Sequence, residues 1–162
     1  MENIYSEKIS SSRTTFLFLG LSVSFFILSA WRIFAVGLRF FPGLFAFLAL
    51  IFLFYVINFR TLKITIDSKH VKLKFGIIPW KTRLDNILEC RMDDSPAIIK
   101  YGGAGVHFAY VNGIYRAYYN FLEYPRVVIS FKVKQGLTQG LVFTTRQPDQ
   151  VLDHIKSRIT FS

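Results

Sequence analysis

The chain has 162 residues, a net charge of +10 and 18 phenylalanines, which suits one domain or a membrane anchor joined to a small domain. Its single cysteine, Cys90, excludes an intrachain disulfide and a cysteine-built metal site. Cys90 reads as a small half-buried apolar residue of "NILECRM", compatible with a reduced compartment.

Most of the apolar excess precedes residue 60. Residues 1 to 14 read as a cytosolic N-terminal segment. Residues 15 to 31 carry no charge and the helix can continue to Leu38; residues 40 to 59 form a second uncharged run, opened by Pro42-Gly43. At about 1.5 Å per residue each run can cross a hydrocarbon core, so residues 15 to 59 read as a transmembrane helical hairpin (15 to 38 and 40 to 59). A cleaved signal peptide does not fit, because a second apolar run follows so closely. Lys8, Arg13, Arg60, Lys63, Lys69, Lys72 and Lys74 lie toward the termini, whereas Arg32 and Arg39 mark the tip. Positive charge therefore puts both termini on the cytoplasmic side of the cell's inner membrane. Neither run has an ionisable residue in its centre, so the hairpin reads as an anchor and not a transport path.

From residue 60 to 162 the period changes to two. Leu62, Ile64 and Ile66 share one face, as do Val71, Leu73 and Phe75, with Lys72 and Lys74 outward. "DSKH" is the turn between them. "IIPWKTRL" makes a third strand that Pro79 places at an edge, and "NILECRM" a fourth with Leu88, Cys90 and Met92 on one side; "DDSP" breaks the run. Val106, Phe108 and Tyr110 alternate, Asn112-Gly113 signals a hairpin, and "YRAYY" returns. "RVVISFKVK" splits Val127, Ile129, Phe131 and Val133 from Val128, Ser130, Lys132 and Lys134, and "LVFTT" follows a turn at Gly140. "QPDQVLDHIKSRI" sets Val151, Leu152, Ile155 and Ile159 on one helical stripe, with Pro148 at the helix start. The expectation is a membrane α-hairpin plus a mainly-β soluble domain: a curved antiparallel sheet or barrel of about seven strands, closed by a C-terminal amphipathic helix. No α/β alternation suggests a doubly wound enzyme.

These segments resemble a family. The apolar hairpin, "LKITIDSKHVKLKFGIIPWKTRLDNILECR" with Leu84 and Ile87, "YGGAG" at Tyr101 to Gly105, and Thr145, Pro148 and Ile155 of the last helix look like small bacterial and archaeal membrane proteins with a pleckstrin-homology-like (PH-like) domain. Ala104 stands where such relatives often carry tryptophan. The resemblance implies a fold and a membrane setting; its motifs are structural, and the family's biochemical function is generally unassigned.

"YGGAGVHF" invites a phosphate-loop reading, but no Lys-Ser/Thr follows its glycines, Phe108 replaces the last glycine of G-x-G-x-x-G, and a strand follows where a helix is needed. His70, His107 and His154 lack partners at metal-ligand spacing. No catalytic residue, cofactor or metal ligand is nominated, and the chain is expected not to be an enzyme. Two contact surfaces are nominated instead. Lys63, Lys69, Lys72, Lys74, Lys81 and Arg83 cluster in the first three soluble strands, where anionic headgroups would attract them. Tyr110, Tyr115, Tyr118, Tyr119 and Tyr124, with Phe121, are more aromatics than one buried face needs, and tyrosine suits interfaces. No base-stacking motif accompanies the charge, so nucleic acid is not expected. The expected partners are the lipid bilayer and a membrane or cytosolic protein. The expected role is a binding or scaffolding module at the cytoplasmic membrane face; the alternatives are a sensor of anionic headgroups and an accessory subunit of a membrane complex.

Overall fold

The structure, a computed structural model, describes residues 3–93, 103–111 and 113–159. A first strand, β1 (Asn3–Ser10), leads into two long helices, α1 (Ser12–Val36) and α2 (Phe40–Asn58). Ser11 caps α1 by accepting from the Thr14 amide at 3.0 Å. The helices pair along Phe18, Ser22, Phe25 and Ser29. The Ser22 hydroxyl donates to the Ala49 carbonyl and the Ser29 hydroxyl to the Pro42 carbonyl, each at 2.9 Å. Phe25 stacks on Phe52 at 5.6 Å, and Phe18 meets Tyr55 at 5.3 Å. Both helices are long and apolar enough to cross a membrane, and only 17% and 11% of their most apolar stretches are buried. Phe34 (90% exposed), Phe16, Phe26 and Phe47 face outward. A core helix of a soluble protein would hide such side chains, whereas a bilayer accommodates them.

The remainder comprises β2 (Thr61–Asp67), β3 (His70–Phe75), β4 (Ile78–Arg83), a 3₁₀ turn (Leu84–Asn86), β5 (Ile87–Met92), β6 (Gly105–Val111), β7 (Ile114–Asn120), β8 (Arg126–Gln135), β9 (Thr138–Thr144) and α3 (Pro148–Ile159). They form a four-stranded sheet ordered β1-β2-β3-β4 and a five-stranded sheet ordered β5-β8-β9-β7-β6, with no closed barrel. Leu62, Ile64, Ile66, Val71, Leu73 and Phe75 of the first sheet share one core with Ala117, Tyr119, Ile129, Leu141 and Phe143 of the second and with Phe121 just past β7. Val151, Leu152 and Ile155 of α3 complete that core against β5 and the 3₁₀ turn.

Several expectations change. Residues 3–10 do not stand apart: Tyr5 and Ile9 are buried, and β1 pairs with β2 from Asn3↔Asp67 to Ser10↔Thr61. In β5 a bulge between Ile87 and Glu89 shifts the alternation, so Ile87 and Cys90 are buried while Leu88 is exposed. Gly140 lies inside β9, and the turn forms around Gly136. Among the described residues, eight strands from residue 60 on stand where about seven were expected, β1 adds a ninth, and β7 runs parallel to β9. Val128 joins Val111, Tyr118 and Val142 in a second buried cluster on the far face of the five-stranded sheet, while Val133 is exposed. Pro79 does occupy an edge strand.

Candidate functional site

The end of α2 is built into the core. The Phe59 ring stands 5.0 Å from Tyr55 and 5.1 Å from Phe75. Two glycines make room for this end of the helix, one at Asn58 and one at Phe59. Gly76, at the β3–β4 turn, has φ +57°, and a Cβ there would lie 2.2 Å from the Asn58 carbonyl oxygen. Gly105 has φ +99°, and its Cβ would press on Phe59 at 3.3 Å. This is the physical role of the last glycine of "YGGAG": it lets β6 pass over a core aromatic. Lys100, Tyr101, Gly102, Asn112 and the "DDSP" residues after Asp93 lie outside the described residues.

A second tie holds the start of α1. The Glu7 carboxylate accepts from the Tyr5 hydroxyl (2.8 Å), the Thr145 hydroxyl (2.6 Å) and the Arg146 amide (3.0 Å). The Tyr124 hydroxyl donates to the Ser10 carbonyl at 2.8 Å, Arg146 lies over the Tyr124 ring at 4.9 Å, and Arg13 pairs with Glu123 at 3.5 Å. Burial, then the bond to Glu7, pushes the Tyr5 phenol well above its ordinary range. Neither Glu7 nor Arg146 stands out in the sequence, because the bonds that join Glu7 to Thr145 and Arg146 span more than 130 residues of chain.

These contacts orient the β-domain. The β3–β4 turn, the start of β6 and the β7–β8 loop lie beside the helix ends. The β2–β3, β6–β7 and β8–β9 turns lie at the opposite end, about 20 Å further along six-residue strand paths. The nominated basic residues are split accordingly. Lys63 and Lys74 are cross-strand neighbours near the helix ends, and Lys72 faces Lys81 one row further. Lys69 and Arg83 are at the far end, so the six do not form one surface by the helices. Lys72 is also engaged, its ammonium 2.8 Å from the buried Asp67 carboxylate. The Lys69 and His70 amides donate to the same carboxylate at 2.8 and 2.7 Å. Lys72 first, then those amides, hold Asp67 well below the usual carboxylate range despite its burial.

The tyrosines divide as well. Tyr118 (0% exposed) and Tyr119 (1%) are buried and present nothing to a partner. Both parities of β7 are buried from Arg116 onward: Tyr118 stacks on His107 at 4.9 Å, and Tyr119 meets Trp80 at 6.3 Å. Burial pushes the Tyr119 phenol up to about 12. Tyr124 and Phe121 belong to the core and the α1 tie. Tyr110 (74% exposed) and Tyr115 remain, their rings 4.8 Å apart, with Phe108 5.9 Å from Tyr115. Leu137 (81% exposed) lines the same small hollow of about 330 Å³ with Phe108, Tyr115 and Trp80.

Beside this patch a cleft of about 620 Å³ separates β4 from the end of β8, lined by His70, Lys81, Arg83, Lys132, Lys134 and Gln135. Its walls are fixed: the Gln135 amide donates to the Lys81 carbonyl, and Asn86 exchanges two bonds of 2.9 Å with the Val133 backbone. Asp85, the acidic group of the lining, is held by Arg83. With Lys81, Arg83, Lys132 and Lys134 in its lining, the cleft can hold an anion. Cys90 is buried, and burial pushes its thiol up to about 12. Among the described residues no group of three His, Cys, Asp or Glu side chains could hold a metal ion. Scans against protein-family models, curated proteins and solved structures return no match to this chain.

Proposed function

We propose that the chain is a membrane-anchored, non-catalytic binding module. The hairpin crosses the inner membrane with both termini and the β-domain on the cytoplasmic side, and the far end of that domain docks a partner protein. The exposed Phe108–Tyr110–Tyr115–Leu137 patch carries the reading. Tyr110, Tyr115 and Leu137 lie at the end away from the helices, with Phe108 midway along β6, so an apolar protein surface is the fitting occupant of the patch. Lys81, Lys132 and Lys134 border it, so the partner segment sets apolar side chains beside carboxylates. We read the soluble half as PH-like on its antiparallel hairpins and C-terminal helix, with the parallel β7–β9 pair as a departure.

The test solubilises the full chain from its native membrane. It compares the wild type with Tyr110→Ser/Tyr115→Ser and Lys132→Glu/Lys134→Glu variants. Association with one protein through an acidic segment, lost in both variants, supports the reading. Association unchanged in both variants, or only with a second copy of the chain, overturns it.

A further inference from the structure

We infer that Lys8, Lys63 and Lys74 form a row that binds the anionic headgroups of the bilayer holding the hairpin. Pairing of β1 with β2 sets Lys8 directly opposite Lys63, and pairing of β2 with β3 sets Lys63 opposite Lys74. Ile9, Leu62, Ile64, Leu73 and Phe75, their sequence neighbours, are buried, so all three lysines share the outer face. Directly opposed side chains start about 4.5–5.5 Å apart at Cβ, and like charges so placed destabilise a sheet.

Among the described residues, no acidic group on that face balances them. None of the three makes an ion pair among the described residues. Glu7 is turned toward Thr145 and Arg146, and Asp67 holds Lys72. Three adjacent strands therefore present like charge that an external anion relieves. A groove of about 310 Å³ continues from Lys63 and Lys74 past Thr65 to Trp80 and Lys81, so the row opens onto a concave surface.

Position selects the source of that anion. Lys63 follows Phe59 by four residues, Lys74 precedes Gly76 by two, and Lys8 precedes Ser12 by four. Four extended residues span at most about 13 Å. The headgroup layer occupies roughly 5–8 Å on each side of the hydrocarbon. A lysine stem covers the rest. The lysines of the far end lie about another 20 Å away, beyond the Debye length at physiological salt. Lys8 is the informative member, since only the pairing of β1 across the hairpin brings it to this face. The inference depends on the hairpin crossing a bilayer and is independent of the protein partner.

The test reconstitutes the full chain in nanodiscs of phosphatidylcholine alone or mixed with phosphatidylglycerol. Co-elution with the discs reads insertion separately; a chain that does not insert overturns both the anchor and the row. The thermal midpoint of the β-domain is expected to rise by several degrees in anionic discs, less so at high salt. The Lys8→Gln/Lys63→Gln/Lys74→Gln variant should melt higher than wild type in neutral discs and lose the anionic gain; Lys132→Gln/Lys134→Gln should keep it. In wild type, amine-reactive labelling should show Lys8, Lys63 and Lys74 protected by anionic discs relative to Lys132 and Lys134, a readout that survives poor folding of a variant. Equal midpoints in the two discs, a gain kept by the triple variant, or uniform labelling overturns the inference. Inorganic phosphate reproducing the gain in neutral discs assigns the row to a soluble anion instead.

Discussion

The Phe59 ring stands edge-on to Phe75, centroids 5.1 Å apart at 86°. Tyr55 lies on its other side, so an unbroken aromatic series runs from Phe25 and Phe52 in the hairpin to Phe121 in the β-core. The last residues of the hairpin are thereby core residues of the domain. Phe59→Ala should cost about 3–5 kcal/mol. Phe54→Ala, on the outer side of α2, should leave the β-domain midpoint nearly unchanged. Thermal unfolding in detergent, followed by near-UV circular dichroism, separates the two.

The glycine at the β3–β4 turn gives a sharper steric test. Gly76→Ala would set a methyl 2.2 Å from the Asn58 carbonyl oxygen at φ +57°. The left-handed penalty of about 1–2 kcal/mol adds to overpacking of about 1–3 kcal/mol, so the change should destabilise by at least about 2 kcal/mol. Gly113→Ala has positive φ but open space, and should show the backbone penalty alone. Equal losses at the two sites would contradict the steric account.

What sequence reasoning could see follows from range. The hairpin, the β2–β3 alternation and the α3 stripe are local patterns. Their periods survive folding because one face of each packs inward. The pairing of β1 is not local: some fifty residues of hairpin separate it from β2, and Tyr5 and Ile9 make too short an alternation to stand out. The burial of Tyr118 was hidden for a different reason. A sheet covered on both faces has no polar parity, and period two then says nothing about exposure. The bulge after Ile87 likewise moves Cys90 onto the Ile87 face without any glycine or proline to announce it. Consequently the candidate site was partly legible: Tyr110 and Tyr115 were in view, but Leu137, Lys132 and Lys134 join them only through the β8–β9 turn.

Asp67 makes the domain acid-sensitive. Its folded-state pKa is depressed, by Lys72 first and by the Lys69 and His70 amides next. A depressed carboxylate stabilises fully above its unfolded pKa of about 3.9, and that contribution is lost as pH falls below it. The midpoint should therefore drop as pH is lowered below about 4, and Asp67→Asn should flatten that limb while lowering the midpoint at neutral pH. A profile unchanged in shape would contradict the assignment.

The tyrosines supply an internal contrast. Tyr118→Ser should destabilise by about 3–5 kcal/mol, since it empties a fully buried aromatic site. Tyr110→Ser should change stability by less than about 0.5 kcal/mol, as an exposed position does. Urea titration of the full chain in detergent measures both.

Site-specific photocrosslinking in native membranes tests most directly the proposed division of the β-domain into a headgroup side and a partner side. A benzophenone residue replacing Tyr110 should yield a discrete protein adduct, with the contact mapped to an acidic segment. The same group replacing Lys63 should yield lipid adducts. Lipid adducts at position 110 with none at position 63, or the absence of a protein adduct at position 110, would contradict it.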